Sequence, residues 1–327
     1  MFATGQTLLN NWKRLSKSVE SIVSDAQLTL EHHAVRLQTA SQQSEGLLRY
    51  SSPSLFQSAS GNAPVKVNTE IANSLLNSQR PATLQLTLPS NLAHTRTLEL
   101  PTLDSETTAS MIREEVATIE GGLQQKLIWD ASQVSGVDSS KSYWFVACFP
   151  QTTLNQMTQS IGQTGWNLRH VSLTPLIKAK RMLETSSETD HPCLVIHLDT
   201  SELSFQLYDH QQLYYFRSLS RINFMTLLQP LMEKWNLSAT ETVMMLKQPV
   251  FNRQIQSSSM AALLEETRHS LRSLLAKEVT RTLSYLNQQR ELPKVKTCLI
   301  TDPAPLLPGW TDHLDSLLGP HISLSQA

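Results

Sequence analysis

Residues 194–220 read LVIHLDTSELSFQLYDHQQLYYFRSLS, and the fold turns on what this stretch is. Its first run, Leu194 to Leu198, is apolar and almost uncharged, as in a strand buried on both faces. The run ends at Asp199-Thr200-Ser201. Two further runs alternate apolar and polar side chains about Asp209-His210-Gln211, which predicts a β-hairpin following a buried strand. A strand-to-strand turn that holds a phosphate ordinarily carries glycine, because a side chain keeps the backbone amides away from the ligand. There is no glycine here, so the stretch has the outline of a phosphate-binding element without its usual residue.

The chain of 327 residues is long enough for two domains, and its 40% hydrophobic content fits a soluble globular protein. A net charge of -1 supplies no basic field to hold nucleic acid by counterion release, so no nucleic acid partner is expected. Cys148, Cys193 and Cys298 lie in or beside apolar strand-like runs with no CxxC spacing, as reduced core thiols of a cytoplasmic protein would. No apolar run reaches the length of about 18 residues that a spanning helix needs, and the first residues lack the pattern of a secretory signal.

Those first residues carry a different pattern. Leu8, Trp12, Leu15, Val19 and Ile22 recur at helical spacing, with Lys13, Arg14 and Lys17 between them. This predicts an amphipathic helix over residues 1–24. Such a helix can lie in an anionic headgroup layer or meet a partner, and its stripe can equally pack on the protein's own body.

Beyond it, strand patterns at 27–38, 45–50, 83–90, 94–100, 126–131, 142–149, 167–173 and 294–301 interleave with helix patterns. The helices fall near 67–78, 104–122, 152–166, 174–184, 222–235, 239–248, 257–289 and 309–318. The alternation predicts an α/β protein with mixed sheets. Two strand-hairpin-helix lobes, 25–100 and 191–327, would be separated by an inserted α+β unit over 101–190 whose end returns to the first lobe. The polar stretch 185–191 would mark the second boundary. In the helix near 257–289, Met260, Leu264, Leu271, Leu275, Val279, Leu283 and Leu286 form one stripe.

Sequence handles for common chemistry are missing. No GxGxxG, GxxxxGK[ST], GxSxG or HExxH occurs. The histidines are scattered, and the adjacent pair His32-His33 would point to opposite faces of a strand, so no metal site is expected.

Several phrases together resemble the PilM-like family of actin-like ATPases, which serve type IV pilus assembly and are related to MshI and GspL. They are LQLTLPSNLAHTRTLELP (84–101), TASMIREEVATIEGGLQQKLIWD (108–130), SYWFVACFPQTTLNQMTQSIGQTGWNLRHVSLTPLIKAKRM (142–182), KWNLSATETVMMLK (234–247) and AKEVTRTLSYL (276–286). They fall in the family's order over roughly 27–320. The resemblance implies an actin-like, ribonuclease H-like fold of two lobes with an inserted subdomain. It implies a scaffold in a type IV pilus or related secretion machine, cytoplasmic and peripheral at the inner membrane. Its implied partners are a PilN-like protein with one membrane span, bound by its short cytoplasmic tail between the first lobe and the insert, and other components of the machine.

The resemblance also locates a nucleotide cleft, and the chain departs from it there. Thr29-Leu30-Glu31 and His197-Leu198-Asp199 stand where the family has Asp-x-Gly turns. In an alternative alignment Asp199 is itself the family aspartate, with Thr200 and Ser201 completing the turn. Thr301, Asp302 and Pro303 stand where paired glycines admit the adenine, while Lys247 matches the family lysine and Met244 replaces its acid. Extra Cβ atoms, added negative charge beside a polyanion and a deleted amide all oppose ATP. The expectation is a pseudo-ATPase with no cofactor. An active ATPase using ATP and magnesium, or a GspL-like cytoplasmic domain of type II secretion, are the alternatives.

Overall fold

A computed structural model describes residues 26–30, 34–39, 43–47, 56–57, 66–67, 70–77, 83–134, 141–186, 191–199, 202–237, 241–242, 259–289, 292–300, 307–318 and 322–326. The chain divides into two compact units, residues 1–46 with 53–177 and residues 47–52 with 178–327.

In the first unit β1 (Ala26–Leu30) pairs antiparallel with β2 (Ala34–Thr39), which neighbours β3 (Gln43–Leu47). The pattern expected as one strand over 27–38 is thus two strands of a hairpin. A two-residue ribbon, β4 (Phe56–Gln57) with β5 (Lys66–Val67), and helix α1 (Glu70–Asn77) follow. They lead to β6 (Thr83–Leu88), parallel to β1. The sheet closes, after an insertion, with β10 (Asn167–Leu173) parallel to β6, giving the order β3-β2-β1-β6-β10. Leu28, Leu84, Leu86 and Leu88 are buried in it.

The insertion is a second, smaller sheet. Strand β7 (His94–Pro101) and β8 (Leu127–Val134) both pair antiparallel with β9 (Lys141–Pro150), in the order β7-β9-β8. The period-2 alternation sends Leu98, Leu100, Leu127, Val146 and Cys148 to one face. There Ile112 and Val116 of α2 (Ser105–Leu123) cover them. Asp104 caps that helix, its carboxylate accepting from the Glu106 and Thr107 amides. The small sheet therefore begins at residue 94, taking in the run expected to close the first lobe. Helix α3 (Gln151–Gln163) then leads back to β10.

Helix α4 (Thr174–Thr185) carries the chain onward, and the division between units falls inside it rather than at 185–191. The reason is packing: Ala179, Met182 and Leu183 bury against Cys193, Val195, Tyr208 and Leu299 of the next sheet. That sheet has β11 (Cys193–Leu198) and β12 (Leu203–Asp209) antiparallel, β13 (Gln212–Leu219) antiparallel to β12, β14 (Thr297–Ile300) parallel to β11, and β15 (Ser323–Gln326) parallel to β14. Its order, β13-β12-β11-β14-β15, repeats that of the first sheet strand for strand. In both, a hairpin is followed by two parallel strands reached through helical crossovers. The opposite face buries Leu194, Ile196, Leu198, Leu203, Phe205 and Leu207. Helices α5 (Met225–Trp235), α6 (Ser259–Gln288) and α7 (Trp310–Leu318) cover it. The stripe Leu264, Leu271, Leu275, Val279, Leu283 and Leu286 of α6 is buried throughout.

Candidate functional site

The turn between β11 and β12 is held by its own charges. Both strands are buried nearly end to end, so every polar group there needs a partner inside the protein. Asp199 opens the turn: its amide donates to the Glu202 carbonyl at 3.0 Å, and its Oδ1 accepts from the Glu202 amide at 3.0 Å. Its carbonyl accepts from the Phe224 amide at 2.7 Å. Its Oδ2 lies 3.1 Å from His197 Nε2 and accepts from Lys178 Nζ of α4 at 3.3 Å. A carboxylate can only accept, so the imidazole donates through Nε2. Its Nδ1 is then buried with no partner among the described residues. Glu202, fully buried, accepts from Ser218 Oγ of β13. On the same face Tyr208 Oη donates to Gln206 Oε1 at 2.9 Å, and Gln206 reaches Ser204 at 3.4 Å.

Of the residues singled out from sequence, His197 and Asp199 meet here. Thr29 is the penultimate residue of β1, paired with Arg36 and Thr87, as His197 is the penultimate residue of β11. Glu31, Thr200, Ser201, Lys247, Thr301 and Asp302 lie outside the described residues, as do Trp12, Lys13, Arg14, Leu15, Lys17 and Val19. Sequence reading missed Lys178, Glu202 and Ser218. Nothing local marks Lys178, which stands 21 positions before Asp199. Among the described residues no three His, Cys, Asp or Glu side chains gather to hold a metal. The three cysteines are buried and form no disulfide among the described residues.

A second site lies wholly in the first unit. Ile128 of β8, Leu154, Asn155 and Thr158 of α3, and the Leu168 to Val171 segment of β10 line a small open groove. Strands β8 and β10 are each the last strand of their sheet. The register of β10 slips between Leu168 and His170, so Arg169 is a bulge residue on that outer strand. Burial, and then the neighbouring Arg169 cation, hold the His170 imidazole below its usual pKa. Two positions beyond Ile128 on β8 is Asp130. Burial raises its carboxyl to about 6 even though the Ala131 amide donates to it at 2.8 Å.

The nucleotide-like turn and the groove can be set against known proteins. No family model matches the chain, and no curated protein matches it by sequence. The PilM-PilN type IV pilus biogenesis complex matches in structure with a TM-score of 0.67 at 13% identity, over 93% of this chain and 89% of that one. The fold is PilM-like and actin-like. Weaker likenesses reach the cytoplasmic domain of EpsL, an inner membrane component of the Vibrio cholerae type II secretion system, at TM-score 0.37, 12% identity, 62% of this chain and 72% of that one. They also reach an archaeal actin homologue at TM-score 0.44, 9% identity, 92% of this chain and 93% of that one. The fold assignment rests on the first. In this PilM-like fold the repeated sheet order makes β1 and β11 equivalent strands, so Thr29 and His197 hold corresponding penultimate positions.

Proposed function

We propose that the chain is a non-enzymatic scaffold of a type IV pilus or related secretion machine. It works on the cytoplasmic side of the inner membrane and binds the short cytoplasmic tail of a PilN-like protein with one membrane span. The observation that carries this reading is the PilM-like fold over 93% of the chain. The groove beside β8 and β10 supports it, because a terminal strand with apolar neighbours is a surface on which an extended peptide can add. In the same reading nucleotide binding is lost. The Asp199 carboxylate is already engaged by His197, Lys178 and the Glu202 amide, and the stretch 194–220 has no glycine to bring amides to a phosphate. The basic amphipathic segment 1–24 supplies peripheral contact with the membrane.

Affinity capture from solubilised membranes tests the docking half. The expected result is a protein with one membrane span whose retention disappears when its cytoplasmic tail is deleted. Retention should also disappear when Asn155→Trp fills the groove. Capture indifferent to both changes refutes it. A thermal-shift titration with ATP and magnesium tests the other half. Ligand at 100 times its dissociation constant would stabilise the fold by about 2.7 kcal/mol, so a clear rise in Tm would replace the scaffold reading with the active ATPase.

A further inference from the structure

Two charges stand at the groove, Arg169 in its lining and Asp130 beside it on β8. Asp130 accepts one hydrogen bond, from the Ala131 amide, and makes no ion pair among the described residues. Arg169 likewise makes none among them. Asp130 shares its face of β8 with Ile128, which lines the groove, since side chains alternate along a strand. Two residues of strand separate them by about 6.6 Å, within the reach of a lysine or arginine side chain on a peptide lying over Ile128. Helix α3, which forms another wall, has no charged residue (QTTLNQMTQSIGQ). Nothing on that wall can neutralise the carboxylate. A half-buried acid without a cation is unfavourable in the free protein, and the imbalance is removed by a ligand that brings a positive charge.

We propose that the groove selects a tail carrying a basic residue, which pairs with Asp130 while neighbouring apolar side chains rest on Ile128 and Val171. Arg169, on the opposite strand, rejects a second cation there and so fixes the direction in which the tail lies. This inference rests on the tail-docking reading and supplies the chemistry of the partner.

The test uses the full chain and fluorescein-labelled decapeptides of alternating leucine and asparagine, with lysine, glutamate or norleucine placed at each position in turn. Fluorescence anisotropy should show lysine binding at least tenfold more tightly than norleucine at one or two positions, and glutamate binding more weakly. The lysine advantage should vanish in Asp130→Asn, which keeps the shape and the hydrogen bond from the Ala131 amide, and again in Asp130→Ser. Peptides that bind, and are expelled by Asn155→Trp, yet show no lysine preference or retain it in both variants would overturn the inference alone. If no peptide binds in a way that Asn155→Trp abolishes, the docking reading falls and the inference with it.

Discussion

Replacing Asp130 by asparagine should stabilise the free protein, and the size of the gain follows from where the residue sits. Burial lifts the carboxyl from its ordinary 3.8 to about 6. A displacement of that size disfavours the ionised form by about 3 kcal/mol, and partial access to water lowers the expected figure to about 2 kcal/mol. The sign follows from proton binding. Between pH 3.8 and about 6 the folded chain holds the proton more firmly than the unfolded chain, so stability falls as pH rises through this window. Above about 6 the whole penalty is present. Asparagine carries no charge at any pH and its Oδ1 can still accept from the Ala131 amide. The variant should therefore exceed the parent by about 2 kcal/mol at pH 7.5 and match it near pH 4. Urea unfolding of both proteins at the two pH values measures this as a difference in midpoint at unchanged slope. A variant weaker than the parent at pH 7.5, or a difference that does not change with pH, would refute the reasoning.

Three further outcomes are expected. Lys178→Met should cost about 1–2 kcal/mol by removing the cation that pairs with the Asp199 carboxylate; combined with Asp199→Asn the loss should fall short of the sum, and strict additivity in urea unfolding would show the pair uncoupled. Arg217→Met removes the 2.6 Å pair with Glu278 and the hydrogen bond to Thr282, leaving Glu278 with only Arg281, at 3.9 Å, among the described residues, and should cost about 2 kcal/mol by the same measurement. Changing Trp12 and Leu15 together to Glu should release the protein from vesicles of three parts zwitterionic to one part anionic phospholipid without lowering its Tm, since each such side chain contributes roughly 1.5–3 kcal/mol when buried. A sharp loss of Tm with vesicle binding intact would place that stripe in the protein's own core.

The hairpin of β12 and β13 could be read from sequence because its polar and apolar residues alternate cleanly on either side of Asp209-His210-Gln211, where the structure turns with positive φ at His210 and Gln211. The stripe of α6 was equally plain. The hairpin of β1 and β2 was not legible from its own pattern, although the family resemblance set a turn at Thr29-Leu30-Glu31. Its connection, Glu31-His32-His33, has none of the Gly, Pro, Asn or Asp that punctuate turns, so two strands read as one. Strand β15, only SLSQ, has neither length nor hydrophobicity to announce it; its evidence is the parallel pairing with β14. The charged half of the β11 turn was hidden for a different reason. The partner of Asp199 arrives on α4, and no spacing rule connects a helix lysine with a turn aspartate across a polar linker. The groove is hidden in the same way, being assembled from β8, α3 and β10.

The two faces of β11 and β12 explain why a buried sheet should carry so much polarity at one end. Leu194, Ile196 and Leu198 pair across the ladder with Leu207, Phe205 and Leu203, and this face is apolar throughout. Cys193, Val195 and His197 pair with Tyr208, Gln206 and Ser204 on the other. There polarity rises toward the turn and ends in Asp199, Glu202 and Lys178. A surface prepared for a phosphate presents donors that are free to turn toward it. Here the donors are spent on the protein's own acceptors: Tyr208 on Gln206, Gln206 on Ser204, Ser218 on Glu202, and His197 and Lys178 on Asp199. To contact the Lys178 ammonium, a nucleotide would have to displace the Asp199 carboxylate into surroundings where a lone charge is costly. Removing Asp199's charge would take away both this pair and a negative charge that repels phosphate, so Asp199→Asn should bind ATP no worse than the parent chain. Weaker binding of ATP by Asp199→Asn than by the parent would mean that the carboxylate serves the nucleotide rather than excluding it.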